Sequence, residues 1–264
     1  MKRIALIALL LFILFCLIYG GYRSYHYFSL TKERPVYPTM SHDDDTLRIA
    51  YIGDSWAFMH KAHPCQMAVM LQDTLHRPVT VESYGIGGLT SKEIYHALFE
   101  VDGFRHFMKK GYDYCYISAG INDAYRKMGW KYYVSGMDCI IKFLLQNHIH
   151  PIIQEIPDYN ILKVYKNQKA LKKFIRRYSM LVTGCPMDCK QQFRNTLNQL
   201  VSEKGYQSQA SILHFQSWNN DYDNDLDSLY LGDGMHLNHH GYDVLDKEIV
   251  NTIVRLEKKD PNMH

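Results

Sequence analysis

The chain has 264 residues, of which 47% are hydrophobic and 22% charged, and its net charge is +3. Setting aside the first forty or so leaves about 220 residues, enough for one domain with a well-buried core. The charge is small and mixed in sign, which gives no reason to expect nucleic acid as a partner.

The N-terminus carries the first organised segment. Lys2 and Arg3 precede an unbroken apolar run from Ile4 to Tyr19, extended by Gly20, Gly21 and Tyr22. As a helix it spans roughly 24–28 Å, at the short end for a membrane crossing. It is slightly long for the apolar core of a cleavable signal, and no Ala-x-Ala-like site follows it. Residues 1–22 are therefore expected as an uncleaved signal anchor, with secretion after cleavage as the alternative. A very short tail before the apolar run is the usual form of an export signal, so the main domain is expected outside the cytoplasm. Residues 23–45 contain Pro35, Pro38 and the acidic run Asp43-Asp44-Asp45 without apolar periodicity, and are expected as a stalk.

Residues 46–264 form the domain. Leu47 to Ile52 is strand-like and ends at Gly53; a helical stretch covers Gln66 to Leu75; Val79 to Tyr84 alternates as a second strand. A Gly-rich turn precedes a helix starting near Ser91. Tyr112 to Ser118 is a third strand, Tyr132 to Gln146 a helix, and Pro151 to Ile156 a fourth, buried strand. Helices follow over Asn167 to Leu181 and Met187 to Lys204, then a fifth strand from Ser211 to Phe215 and a terminal helix from Tyr242 to Leu256. This alternation predicts an α/β fold, a parallel sheet of about five strands covered by helices on both faces. Ligands bind such sheets beyond the carboxyl ends of the strands. The loops Gly53-Asp54-Ser55, Gly85-Ile86-Gly87-Gly88 and Gly120-Ile121-Asn122-Asp123 should all open on that edge.

Five cysteines lie outside the membrane segment, an odd number that rules out a fully paired framework. Cys185 and Cys189 are spaced for a small local disulfide, or remain two free thiols. His60 with His63 and His239 with His240 form two groups that lack persuasive carboxylate spacing for a metal. They are expected as solvated loop residues, and no metal or cofactor is expected.

A serine hydroxyl becomes a useful nucleophile when a base accepts its proton. Ser55 follows a buried strand, where a tight turn can hold its oxygen toward solvent. Asp233-Gly234-Met235-His236 sets a carboxylate and an imidazole three residues apart, so that Asp233 can fix the tautomer of His236. Acyl transfer also needs donors for a developing oxyanion. The Asn122 side chain and the Gly88 backbone N–H offer them. Trp56, directly after Ser55, either walls the substrate pocket or belongs to the core.

Each of these signals is ordinary alone; their order along the chain is not. Ser55, Gly88, Asn122 and His236, with Asp233 in an Asp-x-x-His block, resemble the SGNH hydrolases, the GDSL-like lipases and esterases. The resemblance covers residues 47 to about 256. It implies a flavodoxin-like three-layer sandwich, an oxyanion hole made by the Ser55 and Gly88 N–H groups and the Asn122 amide, and no metal. Gly87 is a credible substitute for Gly88. Ser83 stands where the second block often has Asn. The function implied is serine-dependent hydrolysis of a carboxylic ester through an acyl-enzyme, the ester being a small molecule or an O-acetylated envelope glycan. The alternatives are an O-acyltransferase using the same triad with a sugar acceptor, and a catalytically silent glycan-binding protein.

Overall fold

The structure, a computed structural model, describes residues 2–63, 65–166, 168–219 and 221–259. In chain order the elements are α1 (Lys2–Phe28), β1 (Leu47–Gly53), α2 (Ser55–His60), α3 (Met67–Leu75), β2 (Val79–Gly85), α4 (Ser91–Glu100), α5 (Asp102–Lys109), β3 (Tyr114–Ser118), α6 (Ile121–Arg126), α7 (Trp130–Gln146), β4 (His150–Gln154), α8 (Ile161–Lys166), α9 (Ala170–Thr183), α10 (Lys190–Glu203), β5 (Ser211–Leu213), α11 (Tyr222–Leu229) and α12 (His239–Lys259). The strands form one parallel sheet in the order β2-β1-β3-β4-β5. That is the flavodoxin-like doubly wound order, which reverses direction between β1 and β3.

The strands read as continuous apolar runs because both faces are covered. Successive side chains alternate between two cores. Ala50, Ile52, Cys115, Ile117 and Ile153 point toward α4, α5, α7 and α10. Ile49, Tyr51, Tyr114, Tyr116 and Ile152 point toward α3 and α12. A fully buried Ile contributes roughly 1.5–3 kcal/mol by leaving water, so truncating Ile52 or Ile117 in mid-sheet is expected to cost about 2–5 kcal/mol once the cavity is included.

Among the described residues α1 is long and apolar enough, over Leu9–Phe28, to cross a membrane, and none of that stretch is buried. It is a candidate membrane anchor. The helix runs beyond the expected boundary at Tyr22 and ends at Phe28.

The segment expected as a stalk is instead laid along the α4–α7 side. Thr31 N–H donates to Ser135 Oγ at 3.0 Å, Arg34 N–H to Tyr95 Oη at 2.8 Å and Thr39 N–H to Asn147 Oδ1 at 3.0 Å. Tyr37 packs against the core, and its hydroxyl donates to the Leu98 carbonyl at 2.9 Å. An extended strap whose residues each find a separate partner shows no periodicity in the sequence. Cys185 and Cys189 are both free thiols, buried beside Lys127. The helix expected from Asn167 starts at Ala170; Asn167 itself lies outside the described residues.

Candidate active site

β1 ends at Gly53, whose φ of +147° suits glycine, and a Cβ there would stand 2.0 Å from the Ser118 carbonyl oxygen. The chain can turn sharply for that reason. Asp54 caps α2 by accepting from the Trp56 N–H at 3.1 Å, and Ser55 becomes the first helical residue at the carboxyl edge of the sheet.

The candidate base arrives from the other end of the chain. Tyr230 and Leu237 pair as an antiparallel bridge, and the turn between them is closed by the Leu231 N–H on the His236 carbonyl at 2.7 Å. Asp233 Oδ1 accepts from the backbone N–H groups of Met235 and His236 at 2.9 and 3.0 Å. Its Oδ2 lies 2.6 Å from His236 Nδ1, and His236 Nε2 lies 3.0 Å from Ser55 Oγ. The carboxylate fixes the tautomer: Nδ1 carries the proton, and Nε2 is the acceptor facing the serine hydroxyl. Burial pushes the Asp233 carboxyl up, but the bonds from the His236 backbone, the His236 ring and the Met235 backbone outweigh it and hold the group below its ordinary range.

Asn122 is carried by the first turn of α6. Its amide donates to Asp54 Oδ2 at 2.9 Å and to the Leu89 carbonyl at 3.0 Å. Asp54 also accepts from the Ser118 hydroxyl at 3.1 Å, so this buried carboxylate joins the loops after β1 and β3. Burial pushes its pKa up to about 6, against the opposing hydrogen bonds. Gly88 has φ +81°, which favours glycine, and its carbonyl accepts from the Arg126 guanidinium. A Cβ at Gly87 would lie 4.0 Å from that of Ser55, so both glycines of the turn border the site.

Three supports of the site have no role in the sequence reading. Asp54 appears there only as the middle of Gly-Asp-Ser. Arg126 bridges the Gly88 turn to Glu93 at 3.1 Å, and Glu93 closes a capping box with Thr90 at the start of α4. Asp123 is fully buried and accepts from the Ser91 N–H at 2.8 Å and the Ser91 hydroxyl at 2.6 Å, tying α6 to α4. Burial raises its pKa to about 7. The available signal was a carboxylate directly beside each candidate, Asp54 before Ser55 and Asp123 after Asn122.

Two expectations are corrected. Trp56 does not wall a pocket: it is 1% exposed and packs in the α3–α12 core against Trp218, with ring centroids 6.1 Å apart. Adjacent residues on a helix face different directions, so Trp56 can enter the core directly after Ser55. His60 and His63 are not solvated loop residues either, since both are buried. Among the described residues, His60, Cys65 and Asp246 bring potential ligand atoms within 4.8 Å of one another and form a group that could hold a metal ion. The carboxylate missing from the local spacing comes from α12.

The doubly wound α/β domain thus carries a Ser–His–Asp hydrogen-bond chain at the carboxyl edge of its sheet. The GDSL-like Lipase/Acylhydrolase family matches residues 51–244, and the chain belongs to it. Solved structures share the fold. A GDSL-like lipase from Bacteroides thetaiotaomicron is 15% identical, over 79% of this chain and 88% of that one, with a TM-score of 0.51. For a lipase/acylhydrolase from Enterococcus faecalis the values are 15%, 79%, 95% and 0.55. For an acetylxylan esterase from Geobacillus stearothermophilus they are 17%, 78%, 94% and 0.51. No curated protein sequence matches the chain.

Proposed function

We propose that the protein is a serine-dependent carboxylic ester hydrolase. The reading is carried by one observation, the continuous hydrogen-bond chain from Ser55 through His236 to Asp233. Ser55 Oγ attacks the ester carbonyl while His236 Nε2 takes its proton. The oxyanion receives the Ser55 and Gly88 N–H groups and the Asn122 amide. His236 returns the proton to the departing alkoxide, leaving an acyl-enzyme. Water, deprotonated by the same nitrogen, then releases the acid. Asp233 holds the ring throughout and stabilises the imidazolium.

The substrate class we propose is an O-acetylated glycan outside the cytoplasm. The candidate anchor α1 and the fold shared with an acetylxylan esterase support it. Reaction of the membrane-extracted protein with a fluorophosphonate probe, followed by peptide mapping, tests the nucleophile. A single adduct on Ser55, absent from His236→Ala, is expected. Labelling elsewhere, or none in folded protein, overturns the reading. Acetate release from acetylated oligosaccharides then tests the substrate class.

A further inference from the structure

We propose that His60, His63, Cys65 and Asp246 form a structural zinc site. The end of α2 and the turn after it supply the first three ligands, and α12 supplies the carboxylate. His60 Nε2 lies 3.0 Å from Asp246 Oδ1, and its Nδ1 lies 2.6 Å from Ser83 Oγ, an outer contact of the kind that orients a metal-binding imidazole. His63 Nε2 is 3.7 Å from Asp246 Oδ2 and 3.1 Å from Asp243 Oδ1, yet it makes no hydrogen bond although its side chain is 1% exposed. This buried nitrogen thus faces two carboxylates without a hydrogen bond, and a cation between them would satisfy both. Tetrahedral zinc at bond lengths of about 2.0–2.3 Å separates its ligand atoms by roughly 3.3–3.8 Å. The ligand atoms of His60, Cys65 and Asp246 lie within 4.8 Å of one another and need contract by only about an ångström, and His63 Nε2, 3.7 Å from Asp246 Oδ2, is the fourth. A thiolate, two imidazoles and one carboxylate select zinc over the hard divalent cations. Binding releases the Cys65 thiol proton to solvent as the Zn–S bond forms. The ion clamps α2, which starts at Ser55, to α12, which follows the His236 turn, and so fixes the distance between nucleophile and base.

The full chain in detergent, stripped with a chelator and titrated with cobalt chloride, tests the site. One equivalent should bind with a thiolate-to-cobalt charge-transfer band. Cys65→Ser should lose that band, and stripping should lower the melting temperature of the parent protein but not of Cys65→Ser. Failure to bind cobalt, or a spectrum identical in the two proteins, overturns the proposal. Cys65→Ala provides the same comparison should Cys65→Ser fold poorly.

A different observation concerns α9. Its exposed side chains Leu171, Phe174, Ile175, Tyr178, Leu181 and Val182 fall on one helical stripe, while Arg176 and Ser179 are buried. A helix docked on a soluble domain has the opposite arrangement. Leu181 is 82% exposed and Phe174 67%. The stripe adjoins α1: Ser24 Oγ is 2.9 Å from Tyr178 Oη, and the Phe28 and Tyr178 rings are 6.5 Å apart. Exposed Lys172 and Arg177 flank it. We infer that α9 lies in the membrane interface, its apolar stripe in the acyl boundary and its basic residues on anionic headgroups. This rests on α1 being a membrane anchor. Because α9 follows β4, which ends at the same sheet edge as β1, it would seat the candidate site close to the bilayer.

The full chain reconstituted in phosphatidylcholine–phosphatidylglycerol vesicles with brominated acyl chains tests this. Phe174→Trp and Phe12→Trp report α9 and α1, and Val69→Trp on α3 reports solvent. Lipid quenching of the first two reporters, with the third unaffected, is expected. Quenching of Phe12→Trp alone overturns the α9 inference and leaves the anchor standing, including where cross-linking shows a second copy covering the stripe. Quenching of neither removes the anchor reading itself.

Discussion

Asn122 donates one amide N–H to Asp54 Oδ2 at 2.9 Å and the other to the Leu89 carbonyl at 3.0 Å, so the resting side chain has both donors committed. Its two acceptors differ in strength. Leu89 offers a neutral carbonyl, a bond worth about 1 kcal/mol net. Asp54 offers a buried carboxyl that is ionised only above about pH 6. An oxyanion forming on the ester carbonyl competes well against the neutral partner, because charge-assisted bonds are roughly twice as strong. The Leu89 bond is therefore the one expected to open during turnover.

In the proposed mechanism that exchange would make Asn122 a transition-state donor more than a substrate-binding group. Asn122→Ala should lower kcat by roughly a hundred- to a thousand-fold with little change in KM. Asn122→Asp should be no better: it presents an acceptor to the oxyanion and sets a second carboxylate against Asp54. Steady-state kinetics on the folded variants decide the matter. Near-normal turnover in Asn122→Asp would reduce Asn122 to a turn former.

The buried carboxylates also predict how stability follows pH. Asp123 has a folded-state pKa near 7, raised by burial, whereas an unfolded aspartate titrates near 3.9. Between those values the folded chain binds a proton that the unfolded chain has lost. Stability from this group is fully present below about pH 4 and is lost as pH rises through 7, by roughly 4 kcal/mol at most. Asp123→Asn keeps an acceptor for the Ser91 N–H and removes the titration. The parent protein should therefore lose stability relative to Asp123→Asn as pH rises from 4 to 8. Melting temperatures of the two proteins, compared at each pH, cancel the other carboxylates. A constant difference would show that Asp123 titrates normally.

The anchor can be tested without purification. The protein should remain with membranes after an alkaline wash, and external protease should degrade its domain in cells whose cytoplasm stays sealed. Recovery of soluble cytoplasmic protein with Met1 retained would remove both the anchor and the exported location.

The sheet was legible because its strands are short apolar runs bounded by glycine: Leu47 to Gly53 and Val79 to Gly85 fall within a residue of expectation. The loops at their ends follow from the parallel topology, which sets Ser55, Gly88 and Asn122 on one edge of the sheet. The strap was opaque because its partners Tyr95, Leu98 and Asn147 are distant in sequence. The burial of His60 and His63 leaves no local signal for the same reason, since Asp246 lies almost two hundred positions away. Trp56 could not be assigned from its neighbour, because adjacent residues on a helix face different directions.

The Asp233–His236 pair yields the sharpest test of the mechanism. Asp233 makes two kinds of bond: Oδ1 shapes the turn through the Met235 and His236 backbone N–H groups, and Oδ2 accepts the ring proton on Nδ1. Asp233→Asn separates them. Its carbonyl oxygen can still accept from the backbone, so the turn should survive. Its NH2 then faces Nδ1, and an imidazole beside a donor places its proton on Nε2. That nitrogen faces Ser55 at 3.0 Å, and once protonated it cannot receive the serine proton. Turnover of a small acetyl ester should fall by about 10³–10⁴ with the melting temperature nearly unchanged. Asp233→Ala should lose activity and also loosen the turn, whereas His240→Ala should do neither. Because Asp233 is held below the ordinary carboxylate range, its own protonation should not limit activity in mildly acid solution. Kinetics and thermal melts on the three variants are the measurement, and an Asp233→Asn enzyme with near-normal turnover would show that Asp233 holds the loop and nothing more.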